Sequence, residues 1–124
     1  MTQEQKDLLL KDLCARLPYG VNCKIYHKYR YYDMKLSGIF DNEAYFTDNN
    51  GSLYIDYENV KPYLLPLSSM TEEQEKEYNS LNCWELGCFP HTEDALDFLI
   101  ANHFDYRGLI PMGLANDASG KNIY

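Results

Sequence analysis

The chain has no long hydrophobic run. Nothing in its 124 residues approaches the roughly 20 consecutive apolar residues that span a bilayer, so no membrane role is expected. Its first residues, Met1 to Asp7, are polar and mixed in charge, with no apolar stretch or small-residue cleavage site behind them. That is the opposite of a secretory signal and points to a cytoplasmic setting. Cysteine is scarce, at Cys14, Cys23, Cys83 and Cys88, and in that compartment thiols stay reduced. Glycines are isolated: Gly38, Gly51, Gly87, Gly108, Gly113 and Gly120 compose no phosphate-cradling loop, and no cofactor is implied. Catalytic patterning is missing too. His27, His91 and His103 and the four thiols supply candidate bases and nucleophiles, yet no local spacing sets one beside another with a third group to orient them. A small hydrolase or thiol enzyme is therefore the weakest of three functional classes. Positive charge is the last scarcity: 11 Lys and Arg stand against 19 Asp and Glu, a net charge of −8. A general nucleic-acid binder, which must neutralise phosphates, is excluded on that ground.

Tyrosine, by contrast, is abundant, with 12 residues, and it concentrates in the stretch with the clearest strand signals. Apolar side chains alternate through Val21-Asn22-Cys23-Lys24-Ile25-Tyr26, the period of a half-buried strand. A second run, Asp33 to Phe40, alternates through Met34 and Leu36 and slips at Gly38, which suits a bulge. Asp41-Asn42-Glu43 turns the chain into Ala44 to Thr47, and Asn50-Gly51 marks a tight hairpin into Ser52 to Tyr57. Pro62 and Pro66 each remove a backbone donor, so Val60 to Leu67 reads as a turn leading into an edge strand. The fold class is α+β: a small antiparallel sheet or a partly open SH3-like barrel over residues 21–67, between an N-terminal helix and C-terminal helices.

Charge is polarised within the sheet. Lys24, Lys28, Arg30 and Lys35 against Asp33 give this segment +3 and leave −11 to the remainder. Tyr26, Tyr29, Tyr31 and Tyr32 are interleaved with these cations. Such a surface anchors a protein partner, for which Tyr and Arg are favoured at hot spots. It also suits a nucleotide or single-stranded nucleic acid, with bases on the rings and phosphates on the cations. The candidate binding residues are Lys24, Lys28, Tyr29, Arg30, Tyr31, Tyr32 and Lys35. Edge strands bearing exposed tyrosines would also allow a homodimer.

Helices flank this sheet. Thr2 and Gln5 make a capping box, and Leu9, Leu13 and Leu17 recur at helical spacing, with Lys6, Asp7, Lys11, Asp12 and Arg16 on the other faces. The first helix spans 1–17 and stops before Pro18. A helical part, 71–115, opens at Thr71 with an acidic first turn and resumes after Thr92. Within it, Asp105 and Arg107 are placed to form an ion pair, and 116–124 reads as a frayed polar tail within a single domain. Cys83, Cys88 and His91 are weak metal candidates, because structural zinc asks for four ligands and a tight cysteine pair.

Leu13-Cys14-Ala15-Arg16-Leu17-Pro18-Tyr19-Gly20-Val21, Val60-Lys61-Pro62-Tyr63-Leu64, Pro66 to Thr71, and Phe104-Asp105-Tyr106-Arg107-Gly108-Leu109-Ile110 resemble short uncharacterised proteins encoded by gut bacteria and their phages. The resemblance covers about half the chain and assigns no site residue. It implies a mobile-element accessory gene, a setting in which small acidic proteins bind and block a host protein or sequester a signalling nucleotide. The leading expectation is a non-enzymatic protein–protein interaction module, with nucleotide or single-stranded nucleic-acid binding as the alternative.

Overall fold

Thr2 begins the first element by accepting the Gln5 backbone N–H, while the Gln5 side chain accepts the Thr2 N–H. Helix α1, Gln3–Arg16, follows and gives way at Pro18 to a single 3-10 turn, Leu17–Tyr19. The computed structural model describes residues 2–41, 43–49, 51–81 and 93–124. Seven strands form one sheet: β1 Asn22–His27, β2 Arg30–Phe40, β3 Glu43–Asp48, β4 Gly51–Asp56, β5 Val60–Pro66, β6 Phe104–Asp105 and β7 Asn116–Asp117. Helices α2, Glu72–Leu81, and α3, Glu93–Ala101, lie between β5 and β6 in the chain. Among the described residues no helix is long and apolar enough to cross a membrane.

The sheet is open, in the order β4-β3-β2-β1-β5-β6, with β7 also on β5. The fold is α+β, as expected, with the strands of 22–66 in an open antiparallel arrangement. β5 returns to β1 over Val60 to Pro62 and spends its second half on short parallel strands from the C-terminal part, Leu65 opposite Phe104 and Tyr63 opposite Asn116, while no ladder among the described residues joins it to β4, so the sheet stays open. For the same reason β5 is an interior strand rather than an edge. Its prolines are tolerated because each falls where a pairing ends: the ladder to β1 runs from Val60 to Pro62, and the ladder to β6 stops at Pro66. Among the described residues β4 is the outer strand at one end of that order and β6 at the other.

Two glycines carry local geometry. The register of β2 against β3 shifts between Leu36 and Gly38, where a Cβ would lie 3.2 Å from the Phe40 ring. The β3–β4 pairing continues to Asp48 opposite Gly51, so Gly51 belongs to the strand, where its φ of 142° is closed to other residues.

Strand alternation puts Cys23, Ile25, Leu36, Ala44, Phe46 and Ile55 on one face, and these close on Leu9 and Leu13 of α1 as the core. Two charged residues join them. Asp12 and Arg16, expected in water, are fully buried. The Arg16 Nε donates to Asp12 Oδ2 at 2.8 Å and its Nη2 to the Phe104 carbonyl at 2.5 Å, while the Arg107 Nε donates to Asp12 Oδ1 at 3.2 Å. Arg107 therefore does not pair with Asp105. That carboxylate accepts the N–H groups of Leu109 and Ile110, both at 2.9 Å, and so pins the turn after β6.

The helical part ends at Ala101, and the last residues are tied down rather than frayed. Ala118 is buried and donates its N–H to the Leu64 carbonyl at 2.8 Å. The Tyr124 hydroxyl accepts the Asn22 N–H at 2.9 Å and donates to the Tyr63 carbonyl at 2.7 Å.

Candidate functional site

The face of the sheet opposite α1 is largely open to solvent. Antiparallel pairing aligns Asn22 with Lys35, Lys24 with Asp33 and Tyr26 with Tyr31, and directly opposed residues project to the same side. The Tyr26 and Tyr31 ring centroids lie 5.1 Å apart at an angle of 49°, and the Lys24 ammonium sits 4.7 Å from the Tyr31 ring centre. On this outer face the structure thus gathers Lys24, Tyr31 and Lys35 from the seven candidate residues.

Arg30 and Tyr32 project to the opposite side, because they alternate with Tyr31 along β2 and pair with His27 and Ile25. Both stay exposed, Tyr32 opposite the core residue Ile25 and Arg30 next to the turn. Tyr32 borders a shallow recess with Met34 and Leu53.

Lys28 and Tyr29 form the two-residue turn between His27 and Arg30. Their φ angles are 49° and 67°, the mirror-image geometry that matches hairpin twist and that Asn-Gly adopts with least strain. Here a lysine and a tyrosine hold it, at a cost of about 1 kcal/mol or more per residue. Tyr29 is 93% exposed. The seven residues therefore share no single surface: three lie on the outer face, two on the reverse and two at the apex.

Tertiary pairing brings in residues that local sequence did not connect to the hairpin. Lys61 of β5 lies directly opposite Lys24, and these two border a recess of about 330 Å³ with Tyr26, Tyr31, Glu58 and Asn116. The alternation of Lys61 between buried Val60 and Pro62 was the one local sign that it points outward; nothing local placed Asn116 there. A neighbouring recess of about 530 Å³ is lined by Asn22, Asp33, Lys35, Tyr63 and Lys121. Within it the Tyr63 hydroxyl donates to Asp33 at 2.6 Å. Burial, then the Asp33 carboxylate, push that hydroxyl up to about 12.

Reactive groups are not assembled among the described residues. Cys23 is fully buried, and burial pushes its thiol well above the ordinary range, which removes it as a nucleophile. Cys14 is exposed on α1. His103 stacks on the Tyr124 ring, centroids 3.7 Å apart. Burial first, then the positive charges of Arg16 and Lys35, lower its pKa to about 4. No group of three His, Cys, Asp or Glu among the described residues is placed to hold a metal; Cys83, Cys88 and His91 lie outside those residues. Set against known proteins, the chain matches no family model, no curated protein and no solved structure.

Proposed function

We propose that this chain is a non-enzymatic protein–protein interaction module that docks through the β1–β2 hairpin, as an accessory protein of a mobile element. One observation carries the reading: Tyr29 stands 93% exposed on a turn whose two central residues both hold positive φ without glycine. A hairpin needed only to connect strands relaxes that strain with Asn-Gly, whereas strain kept in place at an exposed aromatic is a feature of binding sites. The surroundings support the same reading. Tyr31 flanks the apex on one side, Arg30 and Tyr32 on the other, so the hairpin end is a wedge shaped to enter a cleft, with the residue types that dominate binding hot spots.

The test is site-directed photocrosslinking in host cells, with a benzophenone side chain at Tyr29 and, for comparison, at Tyr54 on the far strand. The expected result is a discrete heavier adduct from position 29 and none from 54, its mass separating a foreign partner from a second copy of this chain. Tyr29→Ala, which touches nothing buried, is expected to abolish capture of that partner by the otherwise unaltered protein. Equal labelling from both positions, or undiminished capture by Tyr29→Ala, overturns the proposal.

A further inference from the structure

The recess between β1 and β5 has a charge arrangement that the fold itself does not require. Lys24 and Lys61 are direct cross-strand neighbours, and like charges so placed repel. In a protein of net charge −8, carboxylates to relieve them are plentiful, yet neither lysine takes part in an ion pair among the described residues. Two acids lie beside them in the fold, and neither forms an ion pair with Lys24 or Lys61. Glu58, on the rim, pairs with Lys6 of α1, and Asp33, opposite Lys24 on β2, accepts the Tyr63 hydroxyl at 2.6 Å.

A second, independent observation comes from the other wall. Asn116 of β7 borders the same recess, and its side-chain Nδ2 is buried with no acceptor among the described residues. Buried amide donors nearly always have a partner, and an exception at a binding surface calls for an explanation. Two lysines and an asparagine whose amide nitrogen has no acceptor among the described residues thus border one recess of about 330 Å³, near the lower size of small-molecule sites. Their shared complement is an anion with several acceptor oxygens, as in a terminal phosphate. The remaining wall consists of Tyr26 and Tyr31, 40% and 66% exposed, whose rings are tilted 49° to one another and offer aromatic surface beside the cations.

We infer that this recess binds a mononucleotide, its terminal phosphate held by Lys24, Lys61 and the Asn116 amide and its base laid against Tyr26 and Tyr31. The phosphate could be carried by a free nucleotide or by the end of a nucleic-acid strand, and the acidic body favours the free form, since it repels a long polyanion. Lys28, Tyr29 and Arg30 do not border the recess, and although Tyr31 is common to both readings, Lys61 and Asn116 lie outside the hairpin, so their variants test the inference apart from the hairpin-tip reading.

Amide chemical-shift titrations with adenosine monophosphate, adenosine and inorganic phosphate test it. Adenosine monophosphate is expected to move the amides of 24–26, 59–61 and 116 saturably, and to bind more tightly than adenosine or phosphate alone. Lys61→Gln keeps the exposed stem and removes the charge, and is expected to weaken binding about tenfold. Asn116→Ala weakens it as well, whereas Lys11→Gln on α1, which removes the same charge elsewhere, leaves it as in the parent. Added salt weakens the parent complex and has less effect on the Lys61→Gln complex. The inference is overturned if no recess amide moves by about 10 mM nucleotide, a limit corresponding to about −3 kcal/mol, or if Lys61→Gln and Lys11→Gln behave alike. Tighter binding of a phosphorylated single-stranded oligonucleotide than of the mononucleotide overturns the choice of a free ligand.

Discussion

Two regions of this molecule reverse the usual rule of polar outside and apolar inside. Beneath α1, Asp12 and Arg16 are fully buried and linked to Arg107 and to the Phe104 carbonyl. On the β1–β2 hairpin, Tyr29 at the apex and Tyr31 on the outer face stand in water at 93% and 66% exposure. Burying charge is costly unless it is paired and hydrogen-bonded, so the first region depends on its pairings: Asp12 receives two guanidinium groups, and Arg16 reaches a backbone carbonyl far along the chain, its Nη1 being left without a partner among the described residues. Displaying aromatic rings forgoes their burial, and here it comes with backbone strain as well. The interior exception joins the two ends of the chain. The surface exception contributes nothing to that joining, which is why a binding role is assigned to it and a structural one to the other.

This contrast breaks first if the interior set proves dispensable. Asp12→Ala leaves two guanidinium groups without their carboxylate, one of them in the core, and is expected to lower unfolding free energy by about 3–5 kcal/mol in denaturant titrations. A loss below about 1 kcal/mol would place Asp12 with ordinary surface residues.

The next effect belongs to His103, which lies beside the buried set. Its folded pKa of about 4 is below its ordinary 6.5, so the folded state favours neutral imidazole while the unfolded chain takes up a proton first. Its contribution is therefore complete above about pH 6.5 and is lost as pH falls towards 4, about 2 kcal/mol after allowance for solvent screening. His103→Asn is neutral throughout and tolerates the local φ of 64°. Its stability is expected to be flatter with pH across that window, and an unchanged pH profile would remove His103 from the account.

At the apex the expected signs reverse. Replacing Lys28-Tyr29 by Asn-Gly relieves the turn and is expected to raise stability by about 1–2 kcal/mol while abolishing partner capture. A loss of stability would mean that the tyrosine supports the fold after all. Smallest is Tyr29→Ala, with an expected stability change within about 0.5 kcal/mol by thermal melting; a larger loss would blur the distinction between the two regions.

Much of the backbone was legible in the residues. Thr2 with Gln5, and Thr71 with Gln74, form reciprocal caps, and alternation through Cys23, Ile25, Ala44 and Phe46 set the buried face. The site was legible only in part. Alternation along β2 separates Tyr31 from Arg30 and Tyr32, which compositional clustering of the same residues had merged. Lys61 and Asn116 came to Lys24 through β5 and β7, whose pairings depend on where the C-terminal stretch returns. By helical spacing Asp12 and Arg16 read as members of the polar faces of α1, away from its leucine stripe, because their partners lie 95 and 88 residues away.

The sequence by itself determined the extents of α1 and α2, the strand alternation, the bulge at Gly38 and the acidic balance with its basic, tyrosine-rich exception. Caps, periodicity and backbone restriction act within a few residues and so leave a local signature. Only the tertiary structure decided that the sheet stays open, that β5 lies inside it, that Tyr124 is latched to Asn22 and Tyr63, and that two lysines face each other across β1 and β5. Each of these joins residues tens of positions apart, and such contacts are chosen by collective burial and hydrogen-bond satisfaction rather than by any local pattern.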